Sequence, residues 1–469
     1  MTDTRVQEEP ALLDAAADAV SIRCVTAEDW PAVEAALPSL QRRFAAATGF
    51  APQAGSVALL PGETGALGLV LLGLGEGQAP ARDRFLAGKL PAALPSGDYR
   101  FEPSDGFDAG EAALAWLLGS YRFERYRKPG KPRPRLVAPE GVDAAALGRV
   151  AAAVASGRDL VNTPANDLGP AELEGAVRAL AERFGAAVSV TLGADLEKGF
   201  PLVHAVGAAS PRAPRLIDLT WGPAEAPRVT LVGKGVVFDT GGLDVKPASN
   251  MLLMKKDMGG AAAALAAAEM IMGAGLAVRL RLIVPSVENA IAGDAFRPGD
   301  VIRSRAGLTV EIGNTDAEGR LILVDALTLA DADAPDLLID FATLTGAARV
   351  ALGPDLPAFF TEDAALAQAV AAAGERVNDP VWRLPLHAPY ASLLDSKVAD
   401  LNNAPGGPFA GAITAALFLR RFAPRTRAHV HFDLFGWNPA TKPGRPEGGE
   451  VQTARLAFAL VSERHARRG

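Results

Sequence analysis

The sequence predicts an α/β fold in which a largely parallel sheet is covered by helices on both sides. The chain has 469 residues, more than one ordinary hydrophobic core accommodates, so two or three domains are expected. After about residue 145, near-continuous apolar runs rich in β-branched residues alternate with helical stretches. Such runs are typical of strands buried on both faces, and their alternation with helices predicts parallel pairing.

Four apolar runs are predicted as strands, and four other stretches as helices. The predicted strands are 227–239, 277–287, 335–346 and 428–437. The predicted helices are 259–273, 317–333, 362–377 and 410–422. In open sheets of this kind, ligands bind beyond the carboxyl ends of the strands. Polar residues that follow these strands are therefore the first candidates for chemistry.

A segment rich in proline and basic residues divides the chain. This segment, "RKPGKPRPRLVAPEG" at residues 127–141, is typical of a linker or an exposed crossing segment. We therefore expect a loose leader over residues 1–20 and an N-terminal α/β domain with its linker over 21–140. A larger second domain over 141–469 carries the candidate functional residues.

Composition restricts the classes of site and location. Cys24 is the single cysteine, so an intrachain disulfide and a cysteine-based zinc cluster are impossible. With only five histidines, any metal site must rely on carboxylates. The net charge of −7 argues against a surface built to hold nucleic acid. The N-terminus does not resemble a signal peptide, and the apolar run at 260–278 is broken by Glu269, so we expect a cytoplasmic protein without a membrane span.

Charged residues cluster near the ends of the predicted strands, each group flanked by glycine. They are Lys234, Asp239, Lys246, Asp257, Asp316, Glu318 and Arg320. Taken singly, Asp257 could serve as a helix N-cap, and Asp316 and Glu318 could favour the positive end of a helix dipole. Lys234 lies inside an apolar strand and requires a partner, because a buried lysine is costly without one.

Two divalent cations would account for the whole group. Four close carboxylates repel one another unless cations neutralise them, and two divalent ions would balance their charge. Paired metal ions roughly 3.5–4 Å apart are a known arrangement for hydrolysis, in which they share an activated water. An oxygen-rich site of this kind tolerates Mn²⁺ or Mg²⁺ as well as Zn²⁺. Lys234 could act as a ligand only as the neutral amine.

Other catalytic motifs fit less well. The segment "FDTGG" (238–242) is similar to the loop of aspartic proteases, which need two such loops on a β-rich scaffold, and the sequence contains one. Phosphate-binding glycine loops are absent around Gly233 and Gly241, and the sequence has no GxSxG nucleophile elbow.

The segment "NTDAEGRL" (314–321) resembles the signature of the leucyl aminopeptidase family, the dinuclear metallopeptidases also called cytosol aminopeptidases. Further motifs of that family follow its order along residues 150–469. They are "RDLVNTPAND" (158–167), "VGKGVVFDTGG" (232–242), "KKDMGGAAA" (255–263), "TLTGA" (343–347) and "HFDLFGW" (431–437). The resemblance implies a small N-terminal α/β domain followed by a catalytic α/β domain with a mixed, mostly parallel sheet between helices.

The resemblance also implies a metal ligand set and a reaction. One of two divalent ions, Mn²⁺ or Zn²⁺, would be held by Lys234, Asp239, Asp257 and Glu318. The more tightly held ion would bind Asp239, Asp316 and Glu318. A water bridging the two ions would attack the first peptide bond, so the enzyme would be a hydrolase that removes N-terminal amino acids from short peptides.

Two further residues gain roles from the same resemblance. Lys246 would stabilise the substrate carbonyl and the developing oxyanion. Arg320 would hold a bicarbonate ion that acts as the general base. The family also implies a homo-oligomer, most often a hexamer, with peptides as the binding partners.

The pocket for the first side chain of the substrate departs from the family pattern. Met254, Thr343 and Gly346 match positions that line this pocket. Phe435 stands where the family more often has a small alanine, which predicts a narrower pocket and leaves a preference for leucine open. Lys256 replaces the aromatic residue that usually precedes the ligand aspartate.

Two alternatives come from other classes of protein. Some members of the family also bind DNA, and residues 127–135 are basic, although a solvated linker fits the acidic total better. A protein that kept the fold without turnover would have no use for so much uncompensated charge. The histidines 387, 429 and 431 lie outside the proposed ligand set and are expected to be structural.

Overall fold

The computed structural model describes residues 11–77, 83–103, 107–128 and 130–465. The first ten residues of the predicted leader, and one proline of the predicted linker, therefore lie outside the described residues. The chain divides into two compact units. The first unit comprises Met1–Ala155 and Ala440–Glu447, and the second comprises Ser156–Pro439 and Gly448–Gly469.

The first unit contains a five-stranded sheet in the order β2-β3-β1-β4-β5. Its strands are β1 Val20–Thr26, β2 Val57–Pro61, β3 Leu67–Gly75, β4 Asp98–Phe101 and β5 Arg135–Leu136. Its helices are α1 Trp30–Ala36, α2 Ser39–Ala47, α3 Leu90–Ala93 and α4 Ala109–Gly119, with a 3₁₀ helix at Leu86–Lys89, and α5 Ala144–Asn162 runs across the point of division. Only β2 pairs antiparallel to its neighbour within this sheet, so this unit is also α/β.

The second unit is built on a nine-stranded sheet in the order β15-β14-β17-β13-β8-β10-β7-β6, with β9 also paired to β10. Its strands, including those of two small sheets, are β6 Ala187–Leu192, β7 Arg215–Trp221, β8 Arg228–Gly233, β9 Gly235–Asp239, β10 Arg279–Asn289, β11 Val301–Arg303, β12 Thr309–Glu311, β13 Leu337–Ala342, β14 Ala358–Phe360, β15 Trp382–Arg383, β16 Leu401–Asn402, β17 His429–Asp433, β18 Trp437–Asn438 and β19 Gly448–Gly449.

Ten α-helices accompany this sheet among the described residues. They are α6 Pro170–Phe184, α7 Gly193–Gly199, α8 Pro201–Gly207, α9 Ala248–Met251, α10 Gly259–Gly273, α11 Glu318–Ala332, α12 Gly346–Leu352, α13 Ala364–Arg376, α14 Gly411–Arg420 and α15 Ala454–Arg464, with 3₁₀ helices at Met254–Met258 and Ala388–Leu394. None of the helices in the described ranges is both long and apolar enough to cross a membrane.

The predicted fold class is confirmed. The central strands β17, β13, β8 and β10 run parallel to one another, and the antiparallel pairings (β14 with β17, β7 with β10 and β6 with β7) lie toward the two edges. Every residue of β13 is buried, as expected for a strand covered on both faces. Each fully buried leucine or isoleucine in such a strand stabilises the fold by about 1.5–3 kcal/mol.

The strand predicted over residues 227–239 is interrupted at Lys234. Its backbone N–H donates to the Phe341 carbonyl at 2.9 Å, and its own carbonyl accepts from the N–H of Ala261 at 2.9 Å. The second of these bonds goes to the first turn of α10 rather than to a neighbouring strand. The chain therefore leaves β8 at Gly233 and resumes as β9 at Gly235, which points the Lys234 side chain into the site described below.

Helix α10 packs against β8, β13 and α15, and its residues from Gly259 to Met272 are all buried. Its first turn lies so close to the sheet that a Cβ on Gly260 would stand 2.2 Å from the Phe341 carbonyl oxygen. Small residues therefore allow the start of this helix to reach the carboxyl ends of the strands.

Candidate metal centre

Four carboxylates and two lysines meet beyond the carboxyl ends of β8 and β9 and at the start of α11. Lys234 Nζ lies 2.8 Å from an oxygen of Asp257 and 3.0 Å from an oxygen of Glu318. Lys246 Nζ lies 2.8 Å from an oxygen of Asp239 and also contacts Asp316. These six side chains come from four separate stretches of the sequence, and the fold brings them into one cluster.

The oxygen atoms of this cluster suit divalent cations. Asp239, Asp316 and Glu318 each offer one carboxylate oxygen, and these three oxygens lie within 4.8 Å of one another. Oε2 of Glu318 is buried and accepts no hydrogen bond within the described chain. A buried carboxylate oxygen without a donor is costly, and a cation would remove that cost. The donor set therefore fits an oxygen-ligated metal pair.

Charge in the cluster is unbalanced, with four carboxylates facing two ammonium groups. Burial, and next the charge of Asp239, raise the pKa of Asp316 to about 6 and hold the pKa of Glu318 well above its ordinary value. Burial alone would lower the pKa of Lys234, but Asp257 and Glu318 hold it above its ordinary value. The excess of buried carboxylates over cations therefore disfavours the ionised forms of Asp316 and Glu318.

The "NTDAEGRL" segment is shaped around this cluster. The N–H of Asp316 donates to the side chain of Asn314 at 2.7 Å, which fixes the turn before α11. Thr315 is fully buried, and its hydroxyl donates to the carbonyl of Gly241 at 2.7 Å. A Cβ on Gly319 would stand 2.5 Å from Lys234 Nζ, so only glycine leaves room for the lysine there. These residues hold the two carboxylates in place.

Asp239 is held by a turn and by an amide. One of its oxygens accepts hydrogen bonds from the N–H of Gly241 at 2.8 Å and from the side-chain amide of Asn289 at 2.9 Å. Gly241 has a φ of +88°, and a Cβ there would lie 2.5 Å from the carbonyl oxygen of Asp244. The glycine pair after Asp239 therefore makes the tight turn that aims this carboxylate at the cluster.

Asp257 is not a helix N-cap. It lies in the 3₁₀ helix before α10, whose N-cap position is Met258 and shows no side-chain cap. One oxygen of Asp257 accepts from the hydroxyl of Thr343 at 2.9 Å, and the other forms the ion pair with Lys234. Glu318 opens α11, and likewise its carboxylate faces Lys234 rather than capping the helix.

Arg320 is buried beside the cluster but is not among the residues that line the cavity. Its Nη1 donates to the carbonyl of Asn403 at 2.7 Å, and its Nε has no hydrogen-bond partner within the described ranges. Burial lowers the pKa of Arg320 to about 10, against the opposing charges of Glu318 and Asp433. The guanidinium therefore keeps unused donor capacity next to a metal candidate.

A cavity of about 230 Å³ opens onto the cluster. Its walls include both lysines, the four carboxylates and all four side-chain pocket candidates, which are Met254, Thr343, Gly346 and Phe435. Lys256 and Arg349 line it as well, each with its cationic group near the ring of Phe435. Burial lowers the pKa of Lys256 to about 8, against the opposing charge of Asp257.

Several residues that support the site could not be recognised from the sequence. Asn289 and Asn403 hold Asp239 and the "NTDAEGRL" turn, yet nothing in their local sequence predicts this. Asp433, at the end of β17, accepts the N–H groups of Leu344 and Thr345 at 3.1 Å each, which fixes one wall of the cavity. The available signal for Asp433 was its position at a strand end, beside the "HFDLFGW" motif.

A second buried acidic site lies within the sheet, away from the cavity lining. Asp340 in β13 accepts from His429 Nε2 at 2.7 Å and from His431 Nδ1 at 2.5 Å, both in β17. Burial would raise the pKa of Asp340, but the two histidines hold it below its ordinary value. Asp340 in turn raises the pKa of His431, against the effect of burial.

The comparisons with known proteins agree with this geometry. A family model described as "Cytosol aminopeptidase family, catalytic domain" matches residues 155–458, and one described as "M17 aminopeptidase, N-terminal domain" matches residues 20–139. A probable cytosol aminopeptidase of Roseiflexus castenholzii is 40% identical over 425 residues, covering 84% of this chain and 87% of that protein.

Solved structures extend the likeness over nearly the whole chain. The cytosol aminopeptidase of Coxiella burnetii is 45% identical, with a TM-score of 0.93 over 97% of this chain and 99% of that one. The bottromycin maturation enzyme BotP, solved in complex with Mn, is 36% identical, with a TM-score of 0.86 over 96% and 100% of the two chains. The chain therefore belongs to the cytosol aminopeptidase family of metal-dependent exopeptidases.

Proposed function

We propose that this aminopeptidase holds two divalent ions, Mn²⁺ or Zn²⁺, on five side chains. Lys234, Asp239, Asp257 and Glu318 would hold one ion, and Asp239, Asp316 and Glu318 the other. The observation that carries this assignment is the cluster of four carboxylates around two lysines in one cavity, with more negative than positive charge. Lys234 would lose its proton when it binds the metal.

The chemistry follows from what surrounds the ions. When bound, divalent ions lower the pKa of water and polarise a carbonyl. Lys246 would stabilise the negative charge that develops on the substrate carbonyl oxygen, since its ammonium already faces Asp239 and Asp316. Arg320 would hold a bicarbonate ion as general base. Its buried Nε without a hydrogen-bond partner in the described chain supports that role.

Short peptides would bind with the free α-amine at the metal centre, which limits cleavage to the first bond. Met254, Thr343, Gly346 and Phe435 would line the pocket for the first side chain, since all four border the cavity that holds the carboxylates. The phenyl ring of Phe435 would narrow this pocket. We further propose a cytoplasmic homo-oligomer, most simply a hexamer, which sedimentation of the purified protein would test.

The main experiment measures hydrolysis after loading with Mn²⁺ or Zn²⁺. Amino-acyl p-nitroanilides and dipeptides with Leu, Ala, Met, Gly, Gln and Glu at the first position would be tested beside an Asp316→Ala control. We expect metal-dependent release of the first amino acid by the unaltered protein and a loss of both metal binding and release in the control. Protein that binds two metal ions yet cleaves none of these substrates would overturn the proposal.

Bicarbonate is tested separately. We expect the rate to rise with added bicarbonate in the unaltered enzyme and to lose that dependence in Arg320→Met. A rate that does not respond to bicarbonate in either protein would remove the assigned role of Arg320 and leave the metal assignment standing.

A further inference from the structure

The ring of Phe435 is flanked by two cations. Nζ of Lys256 lies 4.8 Å from the ring centroid, and the guanidinium carbon of Arg349 lies 5.1 Å from it. Cation–π contacts of this kind are worth from about 0.5 to about 2 kcal/mol, depending on how dry the site is. Two cations drawn to one ring leave a strongly positive wall on one side of the cavity.

Neither cation forms an ion pair with a carboxylate among the residues that the structure describes. Lys256 is only 6% exposed, and its ammonium group makes neither an ion pair nor a hydrogen bond there. Taking an ammonium group out of water costs several kcal/mol, more than an aromatic ring returns. The side chain of Arg349 is likewise unpaired in that part of the chain, although it is exposed.

The nearby carboxylates do not supply the missing partner. All four are engaged by Lys234 and Lys246, and the proposed function assigns them to metal ions. The charge of Asp257, which follows Lys256 directly in the sequence, favours the ammonium form of Lys256 electrostatically, but Asp257 forms its ion pair with Lys234. The positive charge at Phe435 is left for a ligand that enters the cavity.

The position of the two cations identifies which part of a ligand they would meet. Lys256, Arg349 and Phe435 line the same cavity as Met254 and Gly346, which are proposed to surround the first side chain of the substrate. An apolar side chain there would leave the ammonium desolvated and unpaired, whereas a carboxylate would form charge-assisted hydrogen bonds with it.

We propose that Lys256 and Arg349 make this enzyme select peptides whose first residue is acidic, glutamate or aspartate. This inference rests on the proposed function, because it uses the assigned side-chain pocket. It changes the expected substrate class from apolar to acidic N-terminal residues. Lys256 and Arg349 are thus substrate-binding residues that determine specificity.

The test compares substrates that differ in charge and not in size. With enzyme loaded with Mn²⁺, we expect kcat/KM for Glu-p-nitroanilide to exceed that for Gln-p-nitroanilide by at least about tenfold, the effect of one charge-assisted hydrogen bond. Asp and Asn substrates should differ in the same direction. Calorimetric titration with free L-glutamate and L-glutamine measures the same preference without turnover.

Two variants and one control test whether Lys256 and Arg349 cause the preference for glutamate. Arg349→Met, on an exposed side chain, and Lys256→Met, on a buried one, should each lower the Glu to Gln ratio severalfold or more. Arg421→Met changes an exposed arginine that does not line the cavity and should leave the ratio unchanged. If Lys256→Met does not fold, Arg349→Met alone decides the matter.

The possible outcomes distinguish a failure of the proposed specificity from a failure of the proposed function. Hydrolysis of Gln and Leu substrates with no advantage for Glu would overturn this inference and leave the proposed function intact. No hydrolysis of any substrate would overturn the proposed function, and the calorimetric preference for glutamate would then decide the inference alone. A third outcome concerns the C-terminal carboxylate of a dipeptide. The enzyme could cleave Leu-Gly at least about tenfold faster than Leu-Gly amide, and both variants could lose that difference. This result would mean that Lys256 and Arg349 bind the C-terminal carboxylate, and it would overturn their assignment to the first side chain.

Discussion

The second unit contains two buried acidic sites that are built in opposite ways. In the sheet, each oxygen of Asp340 has its own histidine partner, at 2.7 and 2.5 Å. At the candidate metal centre, four carboxylates share two lysines, and Oε2 of Glu318 has no hydrogen-bond partner in the described chain. The Asp340 carboxylate is matched by its two partners, although Nε2 of His431 has no hydrogen-bond partner in the described chain, whereas the four carboxylates of the other site outnumber their cations.

The pKa values of the two sites move in opposite directions. The histidines hold the pKa of Asp340 below its ordinary value despite burial. Burial and Asp239 raise the pKa of Asp316 to about 6 and that of Glu318 well above its ordinary value. We infer from this contrast that a buried carboxylate with matched partners serves the fold, whereas carboxylates that outnumber their cations form a site for a ligand.

The largest expected effect is the loss of activity in Glu318→Gln. Loss of a residue that only orients a metal ligand typically costs 10- to 100-fold, so loss of a proposed bridging ligand should lower kcat/KM by more than about a hundredfold. The same change removes one of four repelling charges, so the melting temperature of metal-free protein should stay the same or rise. Metal content by mass spectrometry, steady-state kinetics and thermal unfolding check the three parts.

This contrast between the two acidic sites would be contradicted if metal-free Glu318→Gln protein unfolded at a much lower temperature than the metal-free unaltered protein. Such a result would mean that Glu318 stabilises the fold through Lys234 as a matched pair does. The metal-loaded unaltered protein is the control for heat stability, because bound metal stabilises only the folded state.

Asp340→Asn should lower the stability of the protein and leave its activity nearly unchanged. Removing one partner of a buried charged group leaves the other uncompensated, which typically costs 3–5 kcal/mol. We expect urea unfolding to show a loss in that range, with kcat per folded molecule changed little because Asp340 does not line the cavity. If the variant is as stable as the unaltered protein, the charge of Asp340 is not needed to stabilise the two buried histidines.

The pH dependence of stability tests the same site. Asp340 has a lowered pKa, so its contribution is lost as the pH falls through that value. His431 has a raised pKa, so its contribution is complete below the unfolded value of about 6.5 and is lost as the pH rises through the folded value. The difference in unfolding free energy between the unaltered protein and Asp340→Asn should therefore be largest near pH 4–6.5 and shrink at higher pH. A constant difference from pH 5 to pH 9 would contradict this sign.

The smallest expected effect concerns the width of the pocket. Phe435→Ala removes the ring that borders the cavity, so kcat/KM for Leu and Met substrates should rise severalfold relative to Ala, somewhat less than the roughly 10- to 200-fold that one methylene can change in a well-packed pocket. Phe435→Leu is the matched control that keeps most of the volume. An unchanged ranking of Leu, Met and Ala would show that the ring does not limit the first side chain.

Local sequence was sufficient to predict the carboxylates but not what supports them. Asp239 ends a predicted strand, and Asp316 and Glu318 stand at the start of a predicted helix, with glycines close to each, so the sequence marked them as candidates for chemistry at strand and helix ends. Asn289 and Asn403 reach the same site from positions 50 residues from Asp239 and 83 residues from Arg320. Such contacts depend on tertiary packing, which no local spacing encodes.

The edges of the sheet were also beyond prediction from the sequence. β6 alternates between exposed and half-buried residues, and β14 has only three residues, so neither gives the continuous apolar run that marks the central strands. Lys256 was recognised only as a departure from the family pattern. Its nearness to Phe435 and Arg349 required the fold, because the three residues lie in distant segments.

Helix α10 determines where this enzyme has freedom to diverge. Its alanines are enclosed by the sheet and by α15, so almost any larger residue there would require the sheet and the 3₁₀ helix that carries Asp257 to shift together. The wall formed by Phe435 and Arg349 borders open space and carries no such constraint. New substrate preferences can therefore arise by single changes at the wall, while the helix keeps the catalytic scaffold the same from one specificity to the next.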